Sequence, residues 1–93
     1  MKKIVLEPTL SKCVETLAKE RYWAVVDEYS RRIRKEGILE DLEWEIDVLR
    51  KFLESMNVAE YRRLTEKYLE QGRKVRLILE MTGEGSVNAR FDV

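Results

Sequence analysis

Leu39, Leu42, Ile46, Leu49, Leu53 and Met56 follow one another at spacings of 3, 4, 3, 4 and 3, an unbroken heptad seam of apolar residues. A helix that turns once every 3.6 residues carries all six on one side. Val48 and Phe52 widen that side, and Trp44 adds apolar bulk farther round. Such a helix is not stable alone in water, so either the rest of the chain or a second copy has to cover it. The seam constrains packing and carries no chemistry of its own.

The neighbouring segments supply the cover. Lys2 to Leu6 is β-branched and short, as an edge strand is, and Pro8 stops it. Thr9 or Ser11 is available to cap a first helix that should run from Leu10 to Lys35. Its apolar positions are Leu10, Cys13, Val14, Leu17, Ala18, Val25, Tyr29 and Ile33. Tyr22-Trp23-Ala24-Val25-Val26 within it is apolar on every side. Its long charged flanks, free of Gly and Pro, favour a helix over a strand. Gly37 stands where a left-handed C-cap would, and the second helix, Leu39 to Ser55, follows at once, which forces an antiparallel hairpin. Asn57 followed by Glu60 resembles a capping box for a third helix carrying Val58, Tyr61, Leu64, Tyr68 and Leu69, with Gly72 as its stop.

After Gly72 the apolar period changes from 3.6 to 2. Val75, Leu77, Leu79 and Met81 alternate with Lys74, Arg76, Ile78 and Glu80, and Val87, Ala89, Phe91 and Val93 alternate with Asn88, Arg90 and Asp92. Closing a Gly83-Glu84-Gly85 loop with Thr82 and Ser86 sets Met81 opposite Val87, Leu79 opposite Ala89, Leu77 opposite Phe91 and Val75 opposite Val93. On the other face Arg76 then stands across from Asp92, an opposite-charge pair. The expected fold is α+β and spans residues 1–93 as one domain: an antiparallel helical hairpin, a third helix and a C-terminal β-hairpin joined by a short N-terminal strand.

Composition narrows function mainly by exclusion. Histidine is absent, which removes the commonest general base and transition-metal ligand. Cys13 is the only cysteine, so the chain predicts no intrachain disulfide, and its place among apolar positions predicts a buried, inert thiol. No apolar run approaches the ~20 residues of a membrane span, and the N-terminus lacks a signal-peptide core, so a cytoplasmic protein without membrane contact is expected. Charged residues reach 39% while Gln occurs once and Asn twice, a balance that points to a thermophilic source. Neither a cofactor nor a metal is called for.

Net charge is zero, yet residues 1–36 sum to +3 and residues 37–56 to −4. Arg31, Arg32, Arg34 and Lys35 form one basic cluster, and Arg73, Lys74 and Arg76 a second. With Tyr22, Trp23 and Tyr29 upstream they are candidate nucleic-acid contacts. The plainer reading has the first cluster complement the end of its helix, with Glu40, Asp41 and Glu43 doing the converse at the start of the next. Glu40, Glu43 and Asp47 share a helix face and would hold magnesium only if Glu66 and Glu70 faced them. The Gly-Glu-Gly loop has no helix after it, so it is a turn and not a phosphate cradle. The resulting expectation is a small non-enzymatic interaction or structural protein, a homodimer or partner subunit with Trp23, Val26 and Trp44 at its interface. A nucleic-acid-binding module is the alternative.

Overall fold

The computed structural model of the protein describes residues 2–55 and 57–93. Six elements follow in order: β1 (Ile4–Leu6), α1 (Val14–Glu36), α2 (Glu40–Ser55), α3 (Val58–Glu70), β2 (Arg76–Met81) and β3 (Val87–Asp92). The three strands form one antiparallel sheet in the order β1-β2-β3. The fold is the expected small α+β arrangement, with α1 and α2 packed as a hairpin.

The β-hairpin takes the register read from its alternation, pairing Leu77 with Phe91, Leu79 with Ala89, Met81 with Val87 and Arg76 with Asp92. Its loop is closed by Thr82 N–H donating to Ser86 O at 2.7 Å and Gly85 N–H donating to Thr82 O at 3.1 Å. Gly85 sits at φ 82°, the positive-φ residue that a three-residue hairpin loop calls for. Ile78 departs from the simple alternation. It lies on the face opposite Leu77 and Leu79 yet is buried, because it is in the central strand between Val5 and Arg90. The Arg stem beside it provides apolar cover while its guanidinium reaches Glu80.

Leu77 and Leu79 meet Val48, Leu49 and Phe52 of α2, Val14 and Ala18 of α1, and Ile4 and Leu6 of β1 in one core. Of the seam on α2, Leu42 and Leu49 are buried, Leu39, Ile46 and Leu53 are half-buried, and Met56 lies outside the described residues. The deepest line on this helix is therefore Val48, Leu49 and Phe52, displaced from the seam toward the sheet. α3 closes the base. Asn57 caps it by accepting from Glu60 N–H at 3.1 Å, as expected. Tyr68 meets Phe91 edge-on and Tyr61 meets it at a tilt, while Tyr61 also meets Phe52 edge-on. Gly72 at φ 75° ends α3 in a Schellman motif, with Gly72 N–H donating to Leu69 O and Arg73 N–H to Tyr68 O.

Three expectations about α1 and its flanks are corrected. The helix starts at Val14 and not at Leu10, because Thr9 Oγ1 accepts from Lys12 N–H and closes a turn over residues 9–12 instead of capping the helix. Leu10 is consequently 78% exposed. Cys13 becomes the N-cap residue, half-buried rather than sealed in the core. Gly37 has a positive φ of 74° but ψ −136°, outside the left-handed helical basin, and this extended glycine conformation redirects the chain into α2. Elsewhere the reading of Tyr22 to Val26 as helix is correct.

At 23 residues α1 is about 35 Å long, whereas the six-residue strands reach only about 20 Å, so the far end of the hairpin overhangs the sheet. The molecule measures 47 × 29 × 22 Å with a radius of gyration of 14.1 Å, against about 12 Å for a compact domain of this length.

Candidate interaction surface

The first basic cluster lies on the last turns of α1, and much of it is paired within the chain. Arg31 Nε reaches Asp27 at 3.3 Å, and Arg32 contacts Glu36 at 2.7 Å and Glu28 at 3.3 Å. The Arg32 guanidinium draws the Glu36 carboxyl below the usual glutamate range, chiefly through its hydrogen bond. Arg34 and Lys35 are exposed and have no ion pair among the described residues. In the second cluster Arg76 pairs with Asp92, Arg73 lies 6.0 Å from the Tyr68 ring centroid, and Lys74 is exposed. No hydrogen bond or ion pair joins the two clusters among the described residues.

The carboxylates of α2 do not converge with those of α3. Asp47 is held by Arg50 at 2.7 Å and Lys51 at 3.4 Å, while Glu66 pairs with Arg62 on its own helix. Among the described residues no three acidic, histidine or cysteine side chains gather as a metal site would require.

Cys13 opens onto a surface cleft between the start of α1 and α3, lined by Thr9, Ser11, Thr16, Lys19, Arg62 and Thr65. Its Sγ lies 3.3 Å from Thr16 Oγ1. Hydrogen bonding by Thr16 lowers the thiol pKa from its ordinary value, outweighing desolvation. Thr65, beneath the cleft, is 2% exposed, and its hydroxyl donates to Tyr61 O at 2.7 Å. The 3.6 period of α3 could have placed Thr65 inward beside Tyr61 and Leu64, but polarity hid it from an apolar pattern.

The two tryptophans are placed differently. Trp44 is half-buried against the core, with Lys2 Nζ 5.9 Å from its ring centroid and Lys2 also paired to Asp41. Trp23 is 66% exposed and makes an edge-on contact with Tyr22. Val26 is half-buried one turn beyond. The structure sets Trp44 on the flank of the hairpin beside β1 and does not bring it to Trp23 or Val26.

What the sequence reading passed over is the rest of the overhang. Like Val26, Tyr29 and Ile33 on α1, Leu39 just ahead of α2 and Ile46 on α2 are half-buried, and none belongs to the core or packs against it. Among the described residues Val25 and Leu42 are the ones buried in this part of the hairpin. Arg21 bridges the two helices where the overhang begins, its Nε and Nη2 donating to Glu45 Oε1 at 3.0 and 2.9 Å. No helix among the described residues is long and apolar enough to cross a membrane.

Comparison with curated proteins and with solved structures returns no match for this chain. A protein-family model covers residues 2–89, from the residues ahead of β1 into β3, and the chain belongs to that family.

Proposed function

We propose that the protein is a small non-enzymatic interaction or structural protein that acts as a homodimer. The observation that carries the reading is its surface. The chain exposes 6334 Å², whereas a compact monomer of 11.1 kDa exposes about 5,700 Å². The excess, roughly 650 Å², approaches the ~800 Å² that each partner contributes to a standard interface. The surplus goes with an elongated shape, and the overhanging hairpin carries apolar residues outside the core. In the same reading the protein is cytoplasmic and heat-adapted, since dimerisation and a charge-rich surface are both usual routes to a higher melting temperature.

Light scattering coupled to size exclusion tests it. The expected mass at micromolar concentration is twice 11.1 kDa. A mass that stays at the monomer value as concentration rises overturns the reading.

A nucleic-acid-binding module is the second reading, and what favours it are the residues of the two basic clusters without a carboxylate partner among the described residues, Arg34, Lys35 and Lys74, with Arg73 over Tyr68. Phosphate contacts release counterions, so such binding would weaken steeply with salt. Absence of any retarded band with single- or double-stranded probes at low salt removes this alternative.

A further inference from the structure

We propose that the docking surface for the second copy is the flank of the α1–α2 hairpin turned away from the sheet, so that two hairpins close into a four-helix bundle; this rests on the self-association reading above. The sheet-facing flank is identified on both helices. On α1, Leu17 and Arg21 line a cleft with Val5, Leu6 and Glu7. On α2, Asp41 and Trp44 meet Lys2 just ahead of β1. Each residue advances about 100° around a helix, which carries Val26, Tyr29 and Ile33 of α1, Ile46 of α2 and, flanking its first turn, Leu39 to the opposite flank. Both sets therefore share one face.

That face continues two heptad patterns that the fold leaves half-used. Val26 and Ile33 are seven residues apart, as are Leu39 and Ile46, and this is the repeat that places side chains as knobs into the holes of a facing helix. α3 covers the same flank only at its base, where Arg62 and Glu66 approach Glu15 and Lys19. Beyond that point neither α3 nor the sheet lines this flank with α1 or α2 among the described residues.

The charges at the end of the hairpin argue for a like partner. Arg34 on α1 and Glu40 and Glu43 on α2 rim this face at the hairpin end and have no ion pair among the described residues. A second copy brings the same groups, so a twofold arrangement can set Arg34 of each copy against Glu40 or Glu43 of the other. A strongly acidic partner would oppose the two carboxylates, and a strongly basic one the guanidinium. The surplus surface also approaches what one partner of a standard dimer buries.

Two measurements decide the matter. Val26→Glu and Ile33→Glu place a carboxylate on the face without touching the core, and each is expected to return the mass to that of a monomer with the helical circular dichroism intact. Leu10→Glu, at an exposed apolar residue elsewhere, should leave the dimer unchanged. Independently of any variant, hydrogen exchange of the wild type should slow with rising concentration at residues 26–46. A dimer that survives both face variants, or concentration-dependent protection confined to the outer edge of β3, overturns this surface and leaves self-association standing. A monomer at every concentration overturns both.

Discussion

At the sheet end of the molecule Val48, Leu49 and Phe52 meet Leu77 and Leu79 from the sheet, with β1, α1 and α3 closing the sides. At the hairpin tip Val25 and Leu42 are the buried residues among those described, and the helices pack against each other, with Lys2 reaching Asp41 from the sheet side. The two ends use the same residue types at the same helical spacing. What differs is the number of layers: a helix face sandwiched between a sheet and a further helix is sealed, whereas a pair of helices leaves one flank of each in water. Periodicity therefore predicts that a residue is on an apolar face, and only the count of neighbouring elements decides whether that face is closed.

The largest effects should separate the two ends. Phe52→Ala removes a fully buried ring and should cost about 3–5 kcal/mol, while Ile33→Ala at the tip should cost about 1 kcal/mol in the dilute monomer. Denaturant titration of both variants measures the gap, and equal losses would break the comparison. Next in size is the turn. Gly37→Ala forces a side chain to positive φ and should cost roughly 1–2 kcal/mol despite open space around the site. An unchanged denaturation midpoint would mean that the tip relaxes at no cost.

A finer probe is acid. The Glu36 carboxyl is held below its ordinary value, first by its hydrogen bond from Arg32. A depressed carboxylate pKa adds stability above the unfolded value, and that stability is lost as pH falls through the folded one. A side-chain carbon titration should place Glu36 below an ordinary glutamate, and Arg32→Gln should restore it. An ordinary midpoint in the wild type would show that this pair at the tip does not hold in solution. The smallest effect belongs to the base. Cys13 should alkylate with a midpoint below that of an ordinary thiol, and Thr16→Val should raise it, since Thr16 is the main cause of the lowering. A midpoint that Thr16→Val leaves unmoved would sink that account.

Legibility in the sequence followed the range of the interactions. The β-hairpin register was readable because a period of 2 and a three-residue Gly-Glu-Gly loop admit one pairing, and a slip would turn every side chain over. The end of α3 was readable because Gly72 acts within one turn. The start of α1 was misplaced because Pro8, Thr9 and Ser11 all signal a helix start, and Thr9 spent its hydroxyl on a turn. Burial of Ile78 depends on Val5 and Arg90, which only the sheet brings beside it. The candidate surface was half-legible: Val26 was singled out for its position in an all-round apolar run, but Tyr29, Ile33, Leu39 and Ile46 read as core. Nothing local distinguishes an apolar flank that has a neighbour from one that has none.

The pairing of β1 with β2 joins Ile4 to Leu79, residues about 75 apart in the chain, whereas the two hairpins are closed by short connections. Contacts across such a span carry a heavy closure cost and form late. During synthesis α1 and α2 are complete while β2 and β3 are still to be made, so the helical hairpin exists for a time without the sheet that seals Val48 and Phe52. A substitution that weakens β1, such as Val5→Ala, should then speed unfolding and leave the folding rate nearly unchanged. A slowed folding arm instead would place the N-terminal strand in the nucleus and reverse this order of events.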